Sequence, residues 1–324
     1  MAMAGRGLIL LAVLFACRSE DPVSRTRSRV LMGSYVTITA SGADAAVEKA
    51  FARLQDINRR FNFRDSTGPL YGFNLRDEPF ADAEIAGVIR TALEVGAATG
   101  GAFDITVQPL VELWGFYTGG SDPPDPAALD STLALVGMDK VAVSGDSVLK
   151  PVPGLRLDLG GIAKGHALAE AARVLRTAGI HSALVDAGGD IYALGRRQDG
   201  REWRIGVRHP RGEGIVAVIP VADRAVVTSG DYERAFTAED GTVYCHIIDP
   251  RLGRPARALA SVTVVAADPV RADAWATGLF VLGPDEGLAL VEATDDIEAL
   301  FVTPELEMRQ SSGLAGILAR EEIP

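Results

Sequence analysis

The sequence predicts an α+β fold: a single two-lobed domain of mixed, largely antiparallel sheets and flanking helices, with a ligand cleft between the lobes. Short strand patterns follow one another from Leu155 onward, whereas most helical patterns lie before that residue or after position 270. No clean linker divides the 324 residues, which are enough to bury a sizeable core. This separation of strands and helices favours one α+β domain over a regular doubly wound sheet.

The first part of the chain carries one strand pattern and three helical ones. The stretch from Val30 to Ala40 alternates with period two and predicts a strand. Apolar residues recur at spacings of three and four from Val47 to Phe61, which predicts an amphipathic helix. A second helix is predicted from Asp82, as its N-cap, to Gly100–Gly101, and a short one follows the Pro123–Pro126 loop as far as Gly137.

The second part of the chain is rich in short strands. One helix is predicted at 162–178, ended by Gly179, and two more at about 270–281 and 285–293. The predicted strands are 155–159, 182–187, 190–194, 203–208, 215–221, 225–229, 243–248 and 260–266.

Composition excludes some classes of protein. With 48% hydrophobic and 23% charged residues, the chain is an ordinary folded protein. A net charge of −11 argues against a nucleic-acid partner, because binding to phosphates needs a basic face. The same acidity makes a bound divalent cation easy to accommodate.

The N-terminus is predicted to be a targeting segment. Arg6 precedes an apolar stretch, Leu8 to Ala16, that is too short to span a bilayer. The end of this stretch, with Cys17, resembles a bacterial lipobox. We therefore expect a signal peptide at 1–16, a lipid on Cys17, a flexible tether at 17–28 and a folded domain at 29–324. An ordinary secretory signal is the alternative. In both cases the mature protein works outside the cytoplasm.

The most informative motif runs from Asp158 to His166 and predicts a glycine turn followed by a helix. Gly160 and Gly161 lack a Cβ, so a ligand can approach the backbone closely. The peptide N–H groups that open the helix are expected to be unpaired and to suit phosphate oxygens. Glycine turns before helices are common, so the motif gains its weight from two segments further along the chain.

Asp273 and Thr277 form the first of these segments. They are four residues apart on a predicted helix and therefore share a face. A carboxylate and a hydroxyl, completed by the Ala163 carbonyl, waters and a substrate phosphate, suit Mg²⁺. Helix capping and surface solvation are the alternative interpretation of this pair.

His246 lies in the second segment, in a strand pattern that ends at Asp249–Pro250. It is a candidate proton acceptor at neutral pH or, alternatively, a buried core histidine. Cys245 beside it is expected to be packed rather than nucleophilic. Phe103 offers an aromatic surface for a flat ring and Asp104 offers an acceptor, although Phe103 suits a core position nearly as well.

Taken together, these motifs resemble the FAD:protein FMN transferase family (ApbE-like flavin transferases) from about Val30 to Thr303. The matching segments, in chain order, are Leu31–Ser34, Gly101–Thr106, Asp158–Gly165, Asp186–Ile191, Thr228–Arg234, His246–Pro250 and Ala272–Gly278. Seven ordered motifs are far more specific than any one of them.

The resemblance implies an enzyme that binds FAD and Mg²⁺ and transfers FMN to a Thr or Ser hydroxyl of an acceptor protein, releasing AMP. It implies that Ala163, Asp273 and Thr277 hold Mg²⁺, so that Asp273 serves catalysis, and that His246 takes the acceptor proton. It also implies a lipid-anchored protein on the periplasmic side of a bacterial membrane, the inner membrane being expected. The residues implied for the FAD site are Met32, Phe63, Ala102, Phe103, Asp104, Gly160, His166 and Ile247.

Two departures from the family pattern and two rival functions remain. Phe63 stands where the family usually has a tyrosine, and Ala276 stands where some relatives have an aspartate.

The rival functions are an FAD pyrophosphatase that gives free FMN and AMP, and a flavin-binding lipoprotein without catalytic activity.

Overall fold

The computed structural model describes residues 24–42, 44–119 and 122–320, and only the backbone of 319–320. The predicted signal peptide and Cys17 lie outside the described residues, so their predictions remain predictions. Within the described part, no helix combines the length and apolar character needed to cross a membrane.

Seven α-helices are described, and their caps explain several of their ends. In α3, the Asp82 carboxylate accepts hydrogen bonds from the backbone N–H groups of Glu84 and Ile85, at 3.1 and 3.0 Å. In α7, Gly283 leaves helical geometry, with φ +80° and Pro284 next, so the two helices predicted there form one kinked helix. The helices are α1 (Asp44–Phe61), α2 (Pro69–Asn74), α3 (Ala83–Ala98), α4 (Gln108–Leu113), α5 (Pro126–Leu133), α6 (Ala163–Thr177) and α7 (Pro269–Glu292).

The described strands form five sheets in which every neighbouring pair is antiparallel. The strands are β1 (Arg25–Leu31), β2 (Ser34–Ala40), β3 (Phe80–Ala81), β4 (Ala142–Ser144), β5 (Ser147–Leu149), β6 (Ala183–Ala187), β7 (Asp190–Leu194), β8 (Trp203–Arg208), β9 (Ile215–Val221), β10 (Arg224–Gly230), β11 (Ala235–Thr237), β12 (Val243–Cys245), β13 (Ile248–Asp249), β14 (Arg254–Pro255), β15 (Ser261–Ala266), β16 (Glu298–Val302), β17 (Met308–Gln310) and β18 (Ala319–Arg320). The large sheet has the order β1-β2-β6-β7-β10-β15-β16-β17; the small ones are β18-β9-β8, β3-β5-β4, β11-β12 and β13-β14.

The large sheet is covered on both faces, and side-chain alternation decides what covers each face. Val227 and Val264 point into the main apolar cluster, which includes residues of α1, α3, α6 and α7. Their neighbours Val226 and Val265 point into a second cluster with β8 and β9. A third cluster joins α4 and α5 to Ile248. These layers confirm the predicted α+β class with its largely antiparallel sheets.

Three predicted segments differ from the structure. Val30 to Ala40 is not one strand, because Met32 and Gly33 turn the chain between β1 and β2. Residues 25–28, assigned to the tether, pair in β1 with 37–40, so the tether prediction is wrong over that stretch. The predicted strand 243–248 is interrupted at His246 and Ile247, and its two ends pair with different strands.

The segment 155–159 was also predicted as a strand, and the structure gives it no ladder. Its alternation is real, since the side chains of Leu155, Leu157 and Leu159 are fully buried. The Asn74 amide group instead bonds both the carbonyl and the N–H of Leu157, at 2.8 and 2.9 Å. A buried side-chain amide thus replaces the neighbouring strand as the partner of this backbone.

Candidate active site

The glycine turn and helix α7 lie against each other. A Cβ added to Gly161 would lie 3.0 Å from the Thr277 hydroxyl oxygen and 3.2 Å from the Phe103 ring. The backbone at 161 therefore touches the hydroxyl that the sequence assigned to a metal. Ala163, buried and first in α6, follows two residues later. Segments 160–163 and 273–277 are neighbours, as the sequence analysis required.

Helices α6 and α7 cross at Gly165, and the crossing places Asp273. A Cβ at Gly165 would fall 2.1 Å from the Pro269 carbonyl oxygen, so only glycine fits. One carboxylate oxygen of Asp273, Oδ2, accepts the Gly165 N–H at 2.8 Å. Asp273 thus satisfies one of the N–H groups that open α6.

This contact corrects the prediction that the N–H groups around the start of α6 are unpaired. Gly165 donates to Asp273, and Gly160 in the turn donates to Asp158 Oδ1 at 2.7 Å. Ile162, the residue before α6, makes no side-chain cap, so the helix borrows its acceptor from α7. The glycine turn and the start of α6 therefore offer fewer free N–H groups to a ligand than the sequence predicts.

Asp273 lies in a crowded electrostatic environment. Its exposed fraction is 3%, and burial together with the nearby Asp190 raises the pKa of its carboxyl group to about 7, although Lys164 opposes this shift. The Lys164 ammonium group forms an ion pair with Asp190. Asp190 also accepts the Thr228 N–H at 3.1 Å. Burial lowers the pKa of Lys164, but Asp190 and Asp273 outweigh it and keep the ammonium group charged.

Lys164 and Asp190 were not assigned a role from the sequence, although both lie in segments that carry the family resemblance. Their pairing joins α6 to the start of β7. The sequence signal for their role was one charged residue in each of two glycine-rich motifs. Only the fold shows that the two residues form an ion pair.

The oxygen donors of this region suit magnesium. Asp273 accepts the Gly165 N–H at Oδ2, and the Thr277 hydroxyl lies one helical turn away. Among the described residues, no group of three His, Cys, Asp or Glu side chains could hold a metal. Mg²⁺ does not need such a group, because one carboxylate, waters and substrate phosphates commonly complete its shell. The donors present therefore fit Mg²⁺.

His246 is held neutral. Its backbone N–H donates to the Arg234 carbonyl at 2.9 Å, and its ring atom Nδ1 has no hydrogen-bond partner among the described residues. Burial, followed by the positive charges of Arg234 and Lys164, lowers the pKa of the imidazole to about 4. A neutral imidazole with an unpaired nitrogen can accept a proton.

Cys245 is packed, as the sequence analysis expected. Its thiol is buried and approaches the Ala256 carbonyl oxygen at 3.3 Å. Burial raises the pKa of the thiol to about 11, so the thiolate is scarce at neutral pH. The next residue but one, Ile247, is buried too, and its carbonyl accepts the Ala256 N–H at 2.9 Å.

Met32 and Phe63 border an aromatic and cationic group of side chains. Met32 and Gly33 both have positive φ, +56° and +74°, which makes a two-residue hairpin turn with a strained methionine. Phe63 lies edge-on to Tyr117, with ring centroids 5.5 Å apart. Tyr117 carries no local signal of function in the sequence and is identified only by the fold.

The Ala102–Asp104 segment is more structural than the sequence suggested. Ala102 and Phe103 are buried, and Phe103 packs against Gly161 and Gly278 rather than presenting an open face. Asp104 accepts hydrogen bonds from the Thr106 N–H and hydroxyl, both at 2.6 Å. Burial raises the pKa of Asp104 despite these bonds.

His166 makes its side-chain contacts with α1 and α3. Its Nε2 lies 2.7 Å from Glu84 Oε1, and its ring centroid is 5.1 Å from that of Phe61. Glu84 also pairs with Arg53 and Arg60 of α1. This ion-pair cluster between α1, α3 and α6 gives a structural partner to His166, which the family resemblance places in the FAD site.

Two cavities lie beside these residues, and neither is lined by Asp273 or Thr277. One, of about 610 Å³, is lined by Trp114, Tyr244 and Ala256 among others. The other, of about 510 Å³, includes Asp104 and Arg251. The oxygen donors of Asp273 and Thr277 therefore lie outside the lining of both cavities.

Comparisons with known proteins find one family and several similar chains. A model of the ApbE family matches residues 32–301. A Vibrio cholerae protein named FAD:protein FMN transferase is 37% identical over 250 residues, which cover 74% of this chain and 74% of that protein. An Escherichia coli protein of the same name is 36% identical over 313 residues, covering 88% and 89%.

Solved structures give the same result. The flavin transferase ApbE from Vibrio cholerae matches with a TM-score of 0.81 and 31% identity, over 91% of this chain and 100% of that one. The ApbE protein from Thermotoga maritima matches with a TM-score of 0.84 and 31% identity, over 93% and 100%.

Proposed function

The chain is a member of the ApbE family, and on that premise we propose that it transfers the FMN part of FAD to an acceptor protein. In the proposed reaction, a Thr or Ser hydroxyl oxygen of the acceptor forms a bond to the FMN phosphorus. The bond from that phosphorus to the AMP oxygen breaks, AMP leaves, and the hydroxyl proton passes to a base. The observation that carries the proposal is the contact of Gly161 with Thr277, one helical turn from Asp273.

The reaction is proposed to depend on Mg²⁺. Asp273 and Thr277 would hold the ion, with the Ala163 carbonyl, and when bound it would neutralise charge on the diphosphate oxygens. The Gly165 N–H orients the carboxylate through its 2.8 Å bond to Oδ2. The Lys164–Asp190 pair adds a fixed dipole beside it. These groups are arranged before substrate arrives, which lowers the reorganisation needed in the transition state.

His246 is the proposed base. It is neutral over most of the pH range, with its pKa lowered to about 4, and its Nδ1 has no partner among the described residues. It would take the proton of the acceptor hydroxyl as the oxygen attacks phosphorus. Cys245 cannot replace it, because its thiol is buried and its pKa is raised.

FAD is proposed to lie along the glycine turn, with its flavin towards Met32 and Phe63. Gly160 is exposed and offers its backbone to the diphosphate, while Ala102, Asp104 and Ile247 contribute mainly through backbone and packing. Relatives named FAD:protein FMN transferase support both the flavin substrate and a protein acceptor.

One incubation tests the proposal against its rivals. The protein is mixed with FAD, Mg²⁺ and the protein substrate of the Vibrio cholerae relative, with a substrate variant lacking the acceptor hydroxyl as control. We expect an acceptor heavier by one FMN and an equal amount of AMP. Free FMN and AMP without the adduct would indicate a pyrophosphatase, and unchanged FAD would indicate a binding protein.

We also propose that the mature protein acts on the periplasmic side of a bacterial membrane, held by a lipid on Cys17. The lipobox-like end of the N-terminal segment supports this. Cell fractionation of the full chain and of its Cys17→Ser variant tests it. We expect the variant to leave the membrane fraction; a variant that stays there would contradict the lipid anchor.

A further inference from the structure

Two arginines surround one tyrosine beside the site. The guanidinium carbon of Arg64 lies 4.6 Å from the ring centre of Tyr117, and that of Arg234 lies 5.3 Å from the same centre. Arg234 also donates from Nη1 to the Tyr117 hydroxyl oxygen at 3.0 Å. This contact uses one of the five N–H donors of the guanidinium group and leaves others for a ligand.

Neither arginine is neutralised by a carboxylate. Within residues 24–42, 44–119 and 122–320, no Asp or Glu oxygen pairs with Arg64 or Arg234, whereas most arginines of the chain have such a partner. Acids outnumber bases, 43 to 32, so carboxylates are plentiful. Two adjacent, unpaired and exposed guanidinium groups in an acidic protein indicate that their counter-ion is a ligand.

Arg234 reaches into the proposed site from the strand pair β11–β12. Its backbone carbonyl holds His246, and a Cβ at Gly33 would lie 3.3 Å from its Nη2. Burial raises the pKa of Asp158, and the charge of Arg234 opposes this shift. Burial lowers the pKa of His246, and the charge of Arg234 lowers it further. The guanidinium group therefore lies among the glycine turn, the proposed base and the Met32–Gly33 turn.

Charge balance shows what this position requires. Asp190, Asp273 and Glu233 act on a single ammonium group, that of Lys164. A divalent cation would cancel that excess and leave the two negative charges of a diphosphate without compensation. Arg64 and Arg234 supply the two positive charges that would balance the diphosphate.

We propose that Arg64 and Arg234 form an arginine clamp that binds the phosphate oxygens of FAD. This inference rests on the proposed function, since it takes FAD as the ligand. Tyr117 contacts both guanidinium groups and so fixes their position beside the site. Arginine suits the task because its planar fork forms paired hydrogen bonds to phosphate oxygens.

Binding of FAD and of riboflavin, which has no phosphate, tests the clamp. Equilibrium dialysis is done in EDTA and without acceptor, so that no transfer occurs. For Arg234→Gln we expect FAD affinity about 10-fold weaker, and for the Arg64→Gln/Arg234→Gln double variant about 100-fold weaker, because charge-assisted hydrogen bonds are lost. Riboflavin affinity should stay within about twofold of wild type. Arg234→Lys should fall between wild type and Arg234→Gln.

A matched control is available in Arg257, which is exposed and lies 4.6 Å from the ring centre of Tyr244. Arg257→Gln should leave FAD affinity unchanged. The clamp is wrong if Arg234→Gln binds FAD as tightly as wild type, or if it loses FAD and riboflavin affinity equally, which would indicate a packing role. It is also wrong if FAD affinity is kept and only the KM for the acceptor rises, because the arginines would then serve the acceptor.

Failure of the clamp and failure of the proposed function give different results. A wild-type protein that transfers FMN while Arg234→Gln keeps full FAD affinity overturns the clamp alone. A wild-type protein that binds no FAD overturns both.

Discussion

Replacing Asp273 by Asn removes a buried charge and keeps the shape of the side chain. Its amide oxygen can still accept the Gly165 N–H, so the start of α6 remains capped. In the native protein, burial and Asp190 raise the pKa of Asp273 from 3.8 to about 7. At pH values above both of these pKa values, the shift lowers the free energy of unfolding by about 4 kcal/mol.

The sign follows from proton binding. Between pH 4 and 7 the folded state holds a proton that the unfolded state has released, so this carboxyl group lowers stability as the pH rises through that window. Asn carries no such penalty. In EDTA, Asp273→Asn should therefore become more stable relative to wild type as the pH rises. The difference between their free energies of unfolding should grow by about 2–3 kcal/mol from pH 5 to pH 8.

Urea unfolding at the two pH values measures this difference. Addition of Mg²⁺ at 100 times its Kd should stabilise wild type by about 2.7 kcal/mol at pH 8 and leave Asp273→Asn unchanged. Asp268→Asn is the matched control, since Asp268 is an exposed N-cap on the same helix. Equal pH dependence of wild type and Asp273→Asn would contradict a buried, destabilising charge at Asp273, and equal stabilisation of both by Mg²⁺ would contradict a metal site there.

Three further predictions concern the base and the helix crossing. His246→Ala should keep FAD affinity and slow transfer by about 10²–10⁴-fold, as dialysis and product mass will report; lost FAD binding would make this histidine structural. In a pH–rate profile at saturating Mg²⁺, the loss of rate on the acid side that is due to protonation of His246 should occur near pH 4, because burial and positive neighbours lower its pKa to about 4. A loss of rate centred at the ordinary value of 6.5 would contradict a buried base. Gly165→Ala should lower the free energy of unfolding in urea by about 3 kcal/mol, since its Cβ would meet the Pro269 carbonyl. Gly87→Ala in α3 is the control and should be neutral or stabilising, because no atom lies within 4 Å of the added Cβ. A tolerated Gly165→Ala would show that the helix crossing is loosely packed.

Local signals in the sequence were enough for much of the fold. The Asp82 cap, the apolar spacing of α1 and the short apolar runs of β10 and β15 each act over a few residues, and the structure has all of them. The predicted strand 155–159 failed because its alternation is genuine but its hydrogen-bond partner, Asn74, is remote in sequence.

Contacts between distant segments explain what the sequence did not reveal about the site. The Asp273–Gly165 bond joins residues 108 positions apart, and the Lys164–Asp190 pair depends on how α6 lies against β7. His166 follows the same rule, since its partners Glu84 and Phe61 lie in α3 and α1, far away along the chain. Residue types indicated magnesium and phosphate chemistry, and only packing determined which groups are still available for it.

The most direct measurement is a crystal structure of the protein soaked with FAD and Mn²⁺, read by anomalous scattering. The account predicts one metal peak between the side chains of Asp273 and Thr277, with the FAD diphosphate beside Gly161. A metal bound elsewhere, or a diphosphate that does not touch the 160–163 turn, would contradict it.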